Sequence, residues 1–313
     1  MSDTMSNPIR ITLGGYGPAN TTCSRGLKFI GDTLAAEFGN EISVHYVWNI
    51  MDFGYKAADL FWMVEDGVLS LTYQSTSYIA ERVPALDFVD LLFLFDNLQQ
   101  ARAAMDGAFG DWLTRSIEEH IPGYRVLGFF ENGYRHLSNQ VRPVRTLEDM
   151  KDMKIRIMPG EIHRRSFELI GAAPCPLDLK PGLEAIISGA VDGQENPLAN
   201  TVDYDAHKVH RYHTLSGHCY HSRGIYMNRA QFDRWPQALQ EGMRAAARKA
   251  VLAQRDLAVE EERLARAAII AAGGEVVELT ADARRAFALA VKPLHDEARQ
   301  RFGDAAFAMI PQP

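Results

Sequence analysis

Apolar and polar positions along the first third of the chain alternate between two periods. Ile9 to Leu13, Ile42 to Val47 and Val68 to Tyr73 read as strands, while Thr22 to Phe38 and Tyr55 to Val64 carry helical spacing. Such alternation predicts βαβ units and a largely parallel sheet with helices on its faces. Gly39-Asn40 and Gly67 stand where those helices end, at positions that favour a left-handed residue. A second alternating set follows Tyr124 to Phe130. It comprises a strand at Lys154 to Ile157, a helix from Ile162 to Ile170 closed by Gly171, a helix from Pro181 to Ser188 and a strand at Val191. Thr146-Leu147-Glu148-Asp149 has the spacing of a capping sequence for a short helix ahead of Lys154. Two such sets predict an α/β protein of two lobes, each a mostly parallel sheet flanked by helices, with a cleft between them.

From Pro236 to Ala272 the chain is rich in Ala, Leu, Glu, Arg and Gln, and Gly242 is its one internal glycine. A continuous helix there would be about 55 Å long at 1.5 Å per residue, too long for one small lobe, so it is expected to lie across both. Its apolar positions are mostly alanines without a sustained leucine heptad, which argues against a coiled coil. Val276 to Leu279 reads as a strand and Ala281 to Gln300 as a carboxy-terminal helix. The 313 residues suffice for two compact domains.

Composition narrows the function. Hydrophobic residues make up 47% and charged residues 23%, an ordinary globular balance. A net charge of -7 with no basic stripe argues against a nucleic-acid partner. The best apolar run, Leu86 to Phe95, contains Asp87 and Asp90 and falls short of the roughly 20 residues a membrane span needs. Met1 to Pro8 has neither a positive start nor an apolar stretch, so no secretory leader is expected on this chain: either a leader was removed and replaced by a start methionine, or the protein is cytoplasmic. Cys23, Cys175 and Cys219 are odd in number and far apart, and read as buried small apolar residues, with a Cys175–Cys219 bridge as the alternative in an oxidising compartment.

The candidate chemistry is anion capture. Lys154 and Arg156 share one face of their strand while Ile155 and Ile157 pack on the other, and Arg156 emerges at the strand's carboxyl end. In open α/β sheets that end binds small ligands, and a guanidinium fork matches a carboxylate with two parallel hydrogen bonds. A solvated surface arginine is the plain alternative. Met158 follows that strand. Gln74 and Ser75, with Thr76, Ser77 and Tyr78, follow another, where hydroxyls suit those of a small acid. Tyr16, in the Gly14-Gly15-Tyr16-Gly17 turn, is read as a cleft residue, because Pro18 and a missing third glycine disqualify a dinucleotide fingerprint. Trp48, Tyr55, Tyr134 and Tyr220 are candidate walls. No hydrolase elbow or P-loop is present. The rival reading is a metal-dependent enzyme built on His207, His210, His213, His218 and His221 with Cys219 and Asp203, although no metalloprotease or Cys-x-x-Cys spacing supports it. A ligand-binding sensor using the same cleft is a third.

Three blocks resemble the substrate-binding proteins of tripartite ATP-independent periplasmic (TRAP) transporters, the DctP-like family. They are Glu131-Asn132-Gly133-Tyr134-Arg135-His136 through Asn139, Arg142-Pro143-Val144 through Thr146-Leu147-Glu148-Asp149 to Arg156, and Ile186 through Asp192-Gly193-Gln194-Glu195-Asn196-Pro197. The likeness is strongest over residues 128–200, and the order of elements agrees along nearly the whole chain. It implies a two-lobed periplasmic-binding-protein-like fold with a long helix spanning both lobes, divided as residues 1–132 with 222–261 and 133–221 with 262–313. It implies a periplasmic receptor, not an enzyme and without a cofactor, that closes on a small organic acid near Glu131 and His221 and delivers it to two integral membrane subunits. Arg156 falls on the family's carboxylate-pairing arginine, and Arg135 and Asn196 on two supporting contacts. Some members carry Glu-Trp where this chain has Glu195-Asn196 and hold a metal there, so direct, metal-free recognition is implied. Trp48 to Phe53 departs from the family pattern, which leaves the acid's identity open.

Overall fold

A computed structural model describes residues 7–312. The part of the Met1 to Pro8 reading that concerns residues 1–6 lies outside them. The chain forms two compact units. One comprises the described residues up to Gln74, with Ile117–Phe130 and Arg223–Leu257; the other comprises Ser75–Ser116, Glu131–Ser222 and the described residues from Ala258.

In the first unit β1 (Ile9–Gly14) pairs in parallel with β2 (Ile42–Val47) and with β3 (Leu71–Ser75). Ile11 and Leu13 are fully buried, as are Leu27, Ile30 and Leu34 of the helix Thr22–Phe38. Gly31 lets that helix close on the sheet, because a Cβ there would overlap Leu13 and Tyr46. Thr21 caps its start and Gly39, at φ 50°, ends it. The helix predicted over Tyr55 to Val64 is interrupted: a turn at Ala57–Asp59 precedes Leu60–Glu65. Asp59 accepts the Lys56 amide at 2.7 Å and the Trp62 indole N–H at 3.0 Å, so the helix restarts there.

In the second unit β5 (Lys154–Ile157) lies between β6 (Ala173–Pro176) and β7 (Gly193–Asn196), parallel to both, and β7 runs antiparallel to β4 (Tyr124–Asn139). Ile155 and Ile157 bury with Leu137, Met150, Met153 and Phe167. β9 (Glu275–Glu278) pairs in parallel with β8 (Tyr212–Asn228). Within β4 and β8 the chain passes between units after Phe130 and after Ser222.

Residues 75–116, placed in the first lobe by the sequence reading, group with the second unit. Their packing gives the reason: the Phe88 ring lies 4.5 Å from Phe307, the Phe93 amide donates to the His218 carbonyl at 2.6 Å, and Arg102 pairs with Glu131 at 2.7 Å. The long helix is continuous over Gln237–Ala271, 35 residues that divide between the units after Leu257. Its alanines are its core face: Ala246, Ala247 and Ala250 are completely buried. The predicted carboxy-terminal helix divides into Ala281–Ala290 and a segment Lys292–Ala308, because Pro293 opens a new first turn, and the second segment is itself kinked at Gly303, at φ 76°. Among the described residues no helix is long and apolar enough to cross a membrane.

Candidate functional site

Arg156 stands opposite Gln194 on β7 and Cys175 on β6. Strand alternation therefore sends Arg156, Gln194 and Asn196 to one face of the sheet and Ile155 and Ile157 to the other. The guanidinium donates to the Leu177 carbonyl through Nε at 3.1 Å and Nη2 at 2.7 Å. That carbonyl precedes the helix Leu179–Ser188, whose cap Asp178 accepts the Leu179 amide at 2.7 Å and the Tyr78 hydroxyl at 2.7 Å. Burial chiefly pushes the Tyr78 phenol upward; Arg156 opposes the shift and Asp178 adds to it, so Tyr78 stays a donor. Arg156 is only 3% exposed, yet no carboxylate of the described residues pairs with it. A carbonyl dipole compensates a buried cation only in part.

Beside β5 lies a group of hydrogen-bonding side chains. Ser75 Oγ is 2.8 Å from His221 Nε2 and 3.9 Å from the Met158 sulfur, while Ser77 Oγ is 3.3 Å from both His221 Nε2 and His163 Nε2. The Asn132 amide donates to His221 Nδ1 at 3.1 Å, which leaves His221 Nε2–H facing the two hydroxyls.

Arg135 occupies the opposite face. On the antiparallel β4–β7 ladder His136 opposes Asn196 and Leu137 opposes Glu195, so Arg135 shares its side with Glu195. Its Nε and Nη2 clamp the Glu195 carboxylate, with Nη2 also reaching the Glu195 carbonyl at 2.6 Å. Burial alone would raise the Glu195 carboxyl, but Arg135 and His218 outweigh it and hold it well below the ordinary range. His218 Nε2 lies 3.6 Å from Glu195, and Ser216 meets its Nδ1 at 2.7 Å. Tyr220 belongs to another cluster, its ring edge-on to Phe95 and Tyr134 and its hydroxyl 3.4 Å from Glu131. Tyr16 and Gln74 are in the first unit. There the Tyr16 ring lies 5.4 Å from Tyr73 under the Arg223 guanidinium, and Gln74 donates to the Ala57 carbonyl at 2.6 Å.

The five histidines do not form a metal centre. His210 meets Ser138 at 2.9 Å, His213 bonds the His210 carbonyl, and His218 and His221 have the partners given above. Among the described residues no three His, Cys, Asp or Glu side chains converge to hold an ion. Burial lowers His210 to about 3 and His213 to about 4, so both stay neutral.

The profile of DctP, bacterial extracellular solute-binding protein family 7, matches residues 14–301. The chain belongs to this family. It is 33% identical over 247 residues to a solute-binding protein of Verminephrobacter eiseniae, covering 79% of this chain and 72% of the relative. The 2,3-diketo-L-gulonate-binding periplasmic protein of Escherichia coli is 28% identical, over 68% of this chain and 65% of its own length. A TRAP periplasmic solute-binding protein from a Polaromonas species, solved with D-erythronate, has 26% identity and a TM-score of 0.90, covering 96% of this chain and 98% of that one. Family 7 and its structural neighbours are solute-binding receptors, not enzymes, and the TRAP resemblance and the α/β fold stand with them.

In this family 7 receptor the structure brings Arg156 and Asn196 onto one face and Ser75 against Met158, but leaves Arg135 and Tyr220 in separate clusters. Sequence reasoning missed Asn132, His163, Asp178 and the Leu177 carbonyl as neighbours of the site. Asp178 carried a signal, since an aspartate directly ahead of a helical run is an N-cap.

Proposed function

We propose that this chain is the periplasmic receptor of a TRAP transporter, taking up a small hydroxylated organic acid and passing it to two integral membrane subunits. The observation that carries this reading is Arg156, a buried guanidinium held by one carbonyl and paired with no acid of the described residues. Its fork would receive the carboxylate. Asn196, on the same face, supplies a direct supporting contact, and Arg135 supports the site indirectly by holding Glu195, the neighbour of Asn196. Ser75 and Ser77, with His221 behind them, would meet the acid's hydroxyls, and Met158, beside Ser75, would be its apolar wall. The hydroxylated acids named for the Polaromonas and Escherichia coli proteins agree with such a hydroxyl-bearing lining.

The test is thermal unfolding against a panel of small organic acids, since a ligand present at about 1,000 times its dissociation constant adds about 4 kcal/mol of stability. A clear rise with hydroxylated monocarboxylates is expected. No rise with any acid would overturn the reading.

A further inference from the structure

Gly182 sits against Arg156, inside the helix Leu179–Ser188 and with ordinary helical backbone. A Cβ built on it would lie 2.5 Å from Arg156 Nε and 3.2 Å from both Cδ and Cγ. The first separation is one that real Cβ atoms essentially never show. Nothing in the backbone calls for glycine here, and in a helix interior glycine is about 1 kcal/mol less favourable than alanine. The absent side chain has one evident consequence, which is room for the guanidinium stem.

We propose that Gly182 is a positioning residue for solute binding: its missing side chain lets Arg156 settle on the Leu177 carbonyl with its fork oriented for a carboxylate. The inference rests on Arg156 being the anion anchor. Neither backbone yields easily to a side chain at 182. β5 is paired on both edges, and the helix is tied at its start by Asp178, which receives both Leu179 and Tyr78. Ordinary contact begins at 3.4 Å, so a methyl group at 182 displaces the Arg156 side chain by about 1 Å. Binding constellations tolerate about half that before losing their geometry.

The experiment compares wild type, Gly182→Ala and Gly182→Val in the full chain, with Arg156→Ala as reference. Three quantities are read: the melting temperature without ligand, the Arg156 Nε–Hε resonance, identified by its loss in Arg156→Ala, and affinity for whichever panel acid stabilises the wild type most. Gly182→Ala is expected to melt no lower than wild type, as helix propensity improves. Its Arg156 resonance should shift and exchange with water at least about tenfold faster, and its affinity should fall at least about tenfold, with a larger loss for valine. An unmoved resonance and unchanged affinity in Gly182→Ala overturn the proposal. If Gly182→Val fails to fold, the alanine variant decides alone. Full affinity in Arg156→Ala would instead overturn the anchor reading, while the resonance still reports whether Gly182 places the guanidinium.

Discussion

Arg135 and Arg156 lie in the same unit and are buried to nearly the same degree, 1% and 3% exposed, but they are compensated by opposite means. Arg135 meets a full carboxylate, and Glu195 is held ionised in return. Arg156 meets only the Leu177 carbonyl. Burying a charge is costly unless a counter-charge and hydrogen bonds replace its water. One arginine is therefore matched within the fold, and the other is the one we propose as the carboxylate anchor. Burial alone does not separate the two; the identity of the acceptor does.

The largest effect should come from breaking the paired arginine. Arg135→Met or Glu195→Gln leaves one buried group unmatched and should lower unfolding free energy by about 3–5 kcal/mol in urea titrations. Replacing both with apolar residues should lose much less. Next comes the unpaired arginine, where the sign on stability reverses. Arg156→Ala should leave the ligand-free protein as stable as wild type or more so, yet remove the stabilisation by acids. Acidification should separate the two sites further. His210, His213 and His218 titrate at about 3, 4 and 4 when folded, below their ordinary value of about 6.5. A depressed folded pKa means stability fully present above the unfolded value and lost as pH falls, so the urea midpoint should decline from about pH 6.5 toward pH 4. Glu195 adds a further loss below about pH 4.3, absent in Glu195→Gln. The smallest effect is expected for Tyr78→Phe, which removes one hydrogen bond to Asp178 and should cost about 1 kcal/mol in thermal or urea unfolding.

Local patterning was enough to read β2, β5 and the helix Thr22–Phe38, because alternation, helical spacing and caps are written within a few residues of each other. Arg156 was legible for the same reason: Ile155 and Ile157 fix which way it points. The Arg135–Glu195 pair was not, since it depends on the antiparallel register of strands 60 residues apart. Residues 75–116 were misplaced because their allegiance comes from distant aromatic packing on Phe302 and Phe307. The histidines were close in sequence but do not converge on one point: His213 bonds the His210 carbonyl, while His221 meets Ser75 and Ser77. His213 and His221 lie eight residues apart on β8, with Gly217 at φ 50° between them. Gly182 was invisible without coordinates, because a glycine beside Pro181 reads only as a weak helix start.

The most direct test of the central claim is titration calorimetry of wild type and Arg156→Lys with the acid that stabilises the protein most. Lysine keeps the charge but loses the fork, so affinity should fall at least about tenfold, roughly 1.4 kcal/mol, with no loss of stability in the free protein. Unchanged affinity in the lysine variant would contradict the assignment of Arg156 as the carboxylate anchor.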